Sequence, residues 1–252
     1  MIVKAPPALL ERIRDLPDME YGKRRLVVLL SPLGDFDSLE YAQALTPELT
    51  RLQASGISTL AIGIGDPKGA DQFCQFTGFD RKRMIVDAKP TLHQELGLYA
   101  GLRTPINPWP GLVLMCAGFG SPGTLLEVIR GYTGDRSAPQ RIDRDETIKA
   151  SPLPAINGSL FANIGGEGYL RPFELATIRL RNMGEVLTNW RTYVPRDDFI
   201  TQRGGTYLLD CDNTVLYSHK DKGILGFSET MARPLSFLDP YLKTSINSQD
   251  IN

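Results

Sequence analysis

Two regimes of hydrophobic and polar patterning divide the chain. Leu26-Val27-Val28-Leu29-Leu30-Ser31 is a continuous apolar run, bounded by Lys23-Arg24-Arg25 on one side and by Pro32 and Gly34 on the other, which predicts a strand buried on both faces. Asp37 and Glu40 then stand three residues apart as a capping box, and Ala42, Leu45, Leu49 and Leu52 mark one helical face. Pro47 should kink that helix and Gly56 should close it, after which Ile57 to Gly65 predicts a second buried strand. These segments form one βαβ unit. Asp66 to Thr77 predicts a short helix carrying Phe73 and Phe76, Met84 to Asp87 a brief strand, and Thr91 to Leu102 a helix capped by Thr91.

From Arg103 to Arg203 the alternation lapses. This stretch is rich in Pro and Gly, with helices expected at Ser121 to Tyr132 and Phe173 to Tyr193. Regular patterning returns in Gly205 to Asp210 and Thr214 to Ser218, which flank a turn at Asp212-Asn213 and predict an antiparallel hairpin. A last helix is expected over Ser228 to Leu238. A parallel βαβ half followed by a hairpin and a helix is the layout of the thioredoxin fold. The expectation is therefore a single α/β domain over 1–252 of thioredoxin-like fold, with a large, mainly helical insertion at 103–203 before the C-terminal β-hairpin.

Composition narrows the classes. The 252 residues are 42 % hydrophobic and 23 % charged, which excludes disordered and collagen-like chains. Twenty-eight Lys and Arg oppose 29 Asp and Glu, so at a net charge of −1 no global field draws a nucleic acid. No apolar run approaches the ~18 residues of a spanning helix, and Met1 to Asp18 lacks the apolar centre of a signal peptide. Three cysteines, at 74, 116 and 211, fit a reducing compartment. The expected location is cytoplasmic, with any membrane contact peripheral.

Several motifs, in order and spacing, carry a family resemblance. Leu26 to Ser31 is followed by Pro32-Leu33-Gly34-Asp35-Phe36-Asp37-Ser38; Gly56-Ile57 leads into Ala61-Ile62-Gly63-Ile64-Gly65; then come Phe76-Thr77-Gly78-Phe79 and Arg203-Gly204-Gly205-Thr206-Tyr207. With these the chain resembles the peroxiredoxin-like AhpC/TSA family, most closely long forms from photosynthetic organisms. The resemblance implies peroxide reduction by a thiolate in the first turn of the helix after the first strand, where free N–H groups and the helix dipole lower the thiol pKa.

Here Asp35 to Tyr41 contains no cysteine, and none precedes Cys74. Ser38 is the nearest match to the family cysteine, with Asp35 at the other position of the CxxC of many relatives. A serine hydroxyl cannot form a sulfenic acid, so ordinary thiol peroxidase activity is expected to be absent. The family's thiolate-steadying arginine falls near Arg203, one residue out of register, which reads as a surface or loop-bracing residue. Phe36 or Asp35 stands where the family threonine belongs.

The leading expectation is a non-catalytic binding, assembly or regulatory factor. Its partner would be a protein, with the resemblance pointing to a complex at the photosynthetic membrane. The alternative is a residual thiol oxidoreductase using Cys74 or Cys211. Cys74 lies on an expected helix and suits either packing or reactivity. Cys116 sits in the apolar run Leu112 to Ala117, where inert packing is expected, and Cys211 occupies the exposed hairpin turn.

Other motifs carry less. Asp210-Cys211-Asp212-Asn213-Thr214 matches the DxDxT signature of haloacid-dehalogenase-like phosphatases, but only 38 residues follow it and the same residues make a good turn. His93 and His219 have no suitably spaced carboxylate or thiol, so no metal is expected. Gly165-Gly166-Glu167-Gly168 lacks the lysine of a phosphate-binding loop, so no nucleotide cofactor is expected. Leu175, Ile178, Met183, Val186, Leu187 and Trp190 recur at helical spacing, which favours a core-packing helix over a partner-binding one.

Overall fold

The computed structural model describes residues 3–105, 107–135, 138–161 and 174–242. Its centre is β1 (Arg24–Pro32), where the pleat sends Leu26, Val28 and Leu30 to one face and Val27 and Leu29 to the other. Both faces are covered, which is why the run is apolar throughout. On one edge β1 pairs in parallel with β2 (Ile57–Ile64), which pairs in parallel with β3 (Met84–Asp87). On the other it pairs antiparallel with β4 (Gly205–Leu209), which forms the hairpin with β5 (Val215–Lys220). The order β3-β2-β1-β4-β5 gives a mixed sheet of thioredoxin-like α/β type.

Helices α1 (Pro7–Ile13) and α5 (Thr91–Glu95) cover the face bearing Val27, Leu29, Leu60 and Tyr207, with Leu9, Ile13 and Leu92 as their buried contacts. The opposite face receives α2 (Phe36–Leu45), α3 (Leu49–Ala54) and α4 (Pro67–Thr77), through Leu39, Leu45, Leu52 and Phe73. A turn of 3₁₀ helix at Thr46–Glu48 separates α2 from α3, where Pro47 was expected to kink a single helix. Asp66 caps α4 by accepting from the Gly69 N–H at 2.8 Å.

Between α5 and β4 lie α6 (Trp109–Cys116), α7 (Thr124–Thr133), a two-stranded ladder joining Thr147–Ile148 to Ile156–Asn157, α8 (Glu174–Thr188) and α9 (Trp190–Tyr193). Leu175, Ile178 and Val186 of α8 are buried, as a core-packing helix requires, and Val186 joins the main core beside Tyr193 and Val194. The Gly165-Gly166-Glu167-Gly168 stretch and Phe173, the expected start of this helix, lie outside the described residues. Among the described residues no helix is long and apolar enough to cross a membrane.

Four sequence expectations are corrected. Asp37 and Glu40 do not form a capping box: Asp35 is the N-cap residue, while Asp37 accepts the Leu225 N–H and Glu40 binds two arginines. The helix expected over 91–102 stops at Glu95, because Gly97 takes φ +64° and turns the chain. The final helix over 228–238 is replaced by turns and a 3₁₀ segment, Ser236–Tyr241, since Pro234 interrupts it. Finally, α1 and α6 were not expected as helices.

Candidate functional site

Strand β1 delivers the chain to a tight loop ahead of α2. A Cβ at Gly34 would collide with Val194 Cγ2, so glycine lets the segment after α9 press directly on this loop. Asp35 follows in extended conformation (φ −81°, ψ 134°) and turns its carboxylate away from the helix it precedes. It meets Arg203 instead, Oδ2 lying 2.6 Å from Nη1.

Arg203 is fully buried just before β4, which corrects the expectation of a surface residue. Its guanidinium also contacts the preceding loop: Nε donates to Thr201 O at 3.1 Å and Nη2 to Ile200 O at 3.3 Å. Asp37 Oδ2 lies 3.5 Å from Nη1 and also accepts the Leu225 N–H at 2.7 Å. Asp221, just beyond β5, accepts the Gly204 N–H at 3.1 Å, and its other oxygen is 3.6 Å from His219 Nε2. Two carboxylates therefore lie against one guanidinium, and a third, Asp221, acts on it through its charge.

So many acids in a dry site cannot all ionise beside a single cation. Burial pushes the Asp221 carboxyl up to about 8 against the pull of Arg203. Asp37 is likewise raised well above the carboxylate range, by burial first and then by the charge of Asp35, with Arg203 opposing. For Arg203 burial disfavours the charge, but Asp35, Asp37 and Asp221 outweigh it and hold the guanidinium above its ordinary value. Burial and mutual repulsion thus raise Asp37 and Asp221, while Arg203 is held in its charged form with Asp35 as its closest contact.

Ser38 stands one turn further along α2. Its hydroxyl is buried and donates to Ser31 O at 3.3 Å, which fastens the helix to the end of β1. Deeper in α2, the Tyr41 hydroxyl bonds Thr206 Oγ1 at 2.8 Å and its ring stacks on Phe227.

The thiols are placed apart from one another. Cys74 is buried on α4, donates to Met84 Sδ at 3.6 Å, and burial pushes its thiol up to about 11. Cys211 is exposed in the hairpin turn, where Asp210 binds Arg24 and Asp212 binds Lys4. Cys116 is exposed at the end of α6, not packed as expected. Although the residue is exposed overall, partial desolvation of its sulfur pushes the thiol up, Asp35 adds to that and Arg203 opposes it.

The structure thus brings Asp35 and Arg203 together, sets Ser38 alongside, and leaves Cys74 and Cys211 elsewhere. Asp37 was foreseen only as a cap, and Asp221 was missed. Extending the hairpin register would have found it, since the pair Gly205–Lys220 continues to Gly204 and Asp221. Among the described residues no group of three or more His, Cys, Asp or Glu could hold a metal ion. His93 is a buried core residue whose Nε2 lies 2.8 Å from Leu30 O, while its Nδ1 is buried without a hydrogen-bond partner among the described residues. A groove of about 680 Å³ opens elsewhere, beyond the end of α2, and is lined by Thr46, Arg51, Arg141, Arg181 and Met231.

A thioredoxin-like sheet with an N-terminal helix end facing a buried arginine defines the class of protein. Residues 44–223 match the family described as AhpC/TSA antioxidant enzyme, and the chain belongs to that family. The match spans Arg203 and all three cysteines but begins beyond Asp35 and Ser38. Comparison with curated proteins and with solved structures gave no match.

Proposed function

We propose that this AhpC/TSA member is a non-catalytic binding, assembly or regulatory factor, in which the family's peroxidatic thiol has been replaced and the old site serves the fold. The observation that carries this reading is the 2.6 Å contact between Asp35 and the buried Arg203. A carboxylate there supplies the negative charge that an arginine beside a helix N-terminus favours, without a group that peroxide can oxidise. The partner is a protein, and the resemblance to forms from photosynthetic organisms directs the search to a membrane-peripheral complex approached from the cytoplasm. The single-domain organisation, with 103–203 as an insertion in a thioredoxin-like core, belongs to the same reading.

Residual thiol chemistry is the second reading. Exposure favours Cys211 over Cys74, whose thiol burial holds near 11. A peroxide-dependent thiol oxidation assay on the full chain decides between the two. The binding reading expects no turnover above the uncatalysed rate. Turnover that Cys211→Ser or Cys74→Ser abolishes would establish the oxidoreductase instead.

A further inference from the structure

We propose that the α6–α7 hairpin is a membrane-docking surface that seats in the boundary between lipid headgroups and hydrocarbon. The helices are apolar on the wrong side for a protein surrounded only by water. In α7, Leu125, Leu126, Ile129 and Tyr132 face outward at 55 %, 75 %, 55 % and 58 % exposure. Its two charged residues turn inward: Glu127 is buried, and Arg130 binds Glu127 and Asp135. Arg179 of α8 completes this inner network by donating to Glu127 Oε1 at 3.2 Å. The amphipathic pattern is therefore inverted, with its polar stripe spent on the interior.

Helix α6 extends the same surface. It contains no charged residue, and Val113 and Leu114 are exposed at 64 % and 43 %. Phe119, in the connection to α7, is 65 % exposed, and Leu125 packs against Gly118 beside it.

Charge decides the occupant. From Trp109 to Thr133 every exposed residue is uncharged. A protein interface carries a polar rim and frequent hydrogen bonds, whereas the bilayer interior excludes ionised groups and accepts this composition. Trp109 and Tyr132, near the ends of this stretch, are the residue types that favour the headgroup level. With no exposed cation in the hairpin, attachment rests on apolar area and not on attraction to anionic lipid.

This inference deepens the membrane-peripheral part of the proposed function and rests on it for context, but it does not depend on the Asp35–Arg203 chemistry. A peroxidase assay and a lipid assay therefore fail separately. The test is flotation of the full chain with phosphatidylcholine vesicles, with and without phosphatidylglycerol, together with quenching by brominated lipid of the emission of Trp109 in a Trp190→Phe chain, since the two rings pack 5.2 Å apart.

Binding to both compositions, retained in high salt, is expected. Val113→Glu and Leu126→Glu, on different helices, should each lower partitioning by about tenfold or more with the unfolding temperature unchanged. Three results would overturn the proposal: no flotation at saturating lipid, binding only to anionic vesicles and lost in salt, or a self-associated wild type that either substitution disperses, which would make a second copy the occupant. An unfolding temperature lowered by Leu126→Glu would also overturn it, since the position would then be covered within the chain.

Discussion

Asp35 and Arg203 form the ion pair at the centre of the buried acid cluster. The guanidinium is wholly buried and its closest ion-pair contact is with Asp35. Removing one partner of a buried pair strands the other in a dry site. Asp35→Ala should therefore destabilise the protein by about 3–5 kcal/mol, measured by urea unfolding. Asp221→Asn should act oppositely at alkaline pH, because its amide oxygen can still accept the Gly204 N–H without bearing charge. Thiol titration gives a further check at this scale. Cys116 and Cys211 should react in the native protein, and Cys74 only after unfolding.

Individual elements differ in how legible they were. The buried strands β1 and β2, the short β3 and the β4–β5 hairpin announce themselves through apolar runs and turn residues. Helix α1 spans seven residues, too few to display a period, and is held by Leu9 and Ile13. Helix α6 has no charged residue on any side, so no polar face marks it as a helix. The cluster was half legible for a related reason. Asp35 and Arg203 could be named from the family pattern, but Asp37 and Asp221 join them only through hairpin register and the loop carrying Leu225.

Glu40 illustrates the same dependence on tertiary structure. Burial pushes its carboxyl up, but Arg179 and Arg141 outweigh burial and hold it below its ordinary value. It ties α2 to α8 and to the segment before the Thr147–Ile148 ladder. Glu40→Leu should cost about 3–5 kcal/mol and speed amide exchange in α7 and α8, whereas adding Arg179→Met should recover part of the loss.

At the scale of the whole molecule, these buried acids shape the pH profile in two directions. Asp221 is raised in the folded state, so its contribution is fully present below its unfolded pKa near 3.8 and is lost as pH rises through about 8. Asp37 has the same sign. Glu40 is depressed, so its contribution is present above its unfolded pKa near 4.5 and is lost as pH falls through its lower folded value. The unfolding temperature should therefore peak on the mildly acidic side and decline toward pH 8. In Asp221→Asn the alkaline decline should be shallower, as calorimetry across that range would register.

The position of β1 has a consequence for how the chain is made. Its parallel partner β2 follows within a few turns of helix, but its other edge pairs with β4, from Arg25 opposite Leu209 to Leu29 opposite Gly205. During synthesis that edge, the middle of the finished sheet, stays unpaired until residue 209 has left the ribosome. Such an edge is a template for pairing with other chains, and long-range closure of this kind slows folding. Nascent chains halted before β4 should therefore be the ones that chaperones hold and that aggregate when chaperones are scarce.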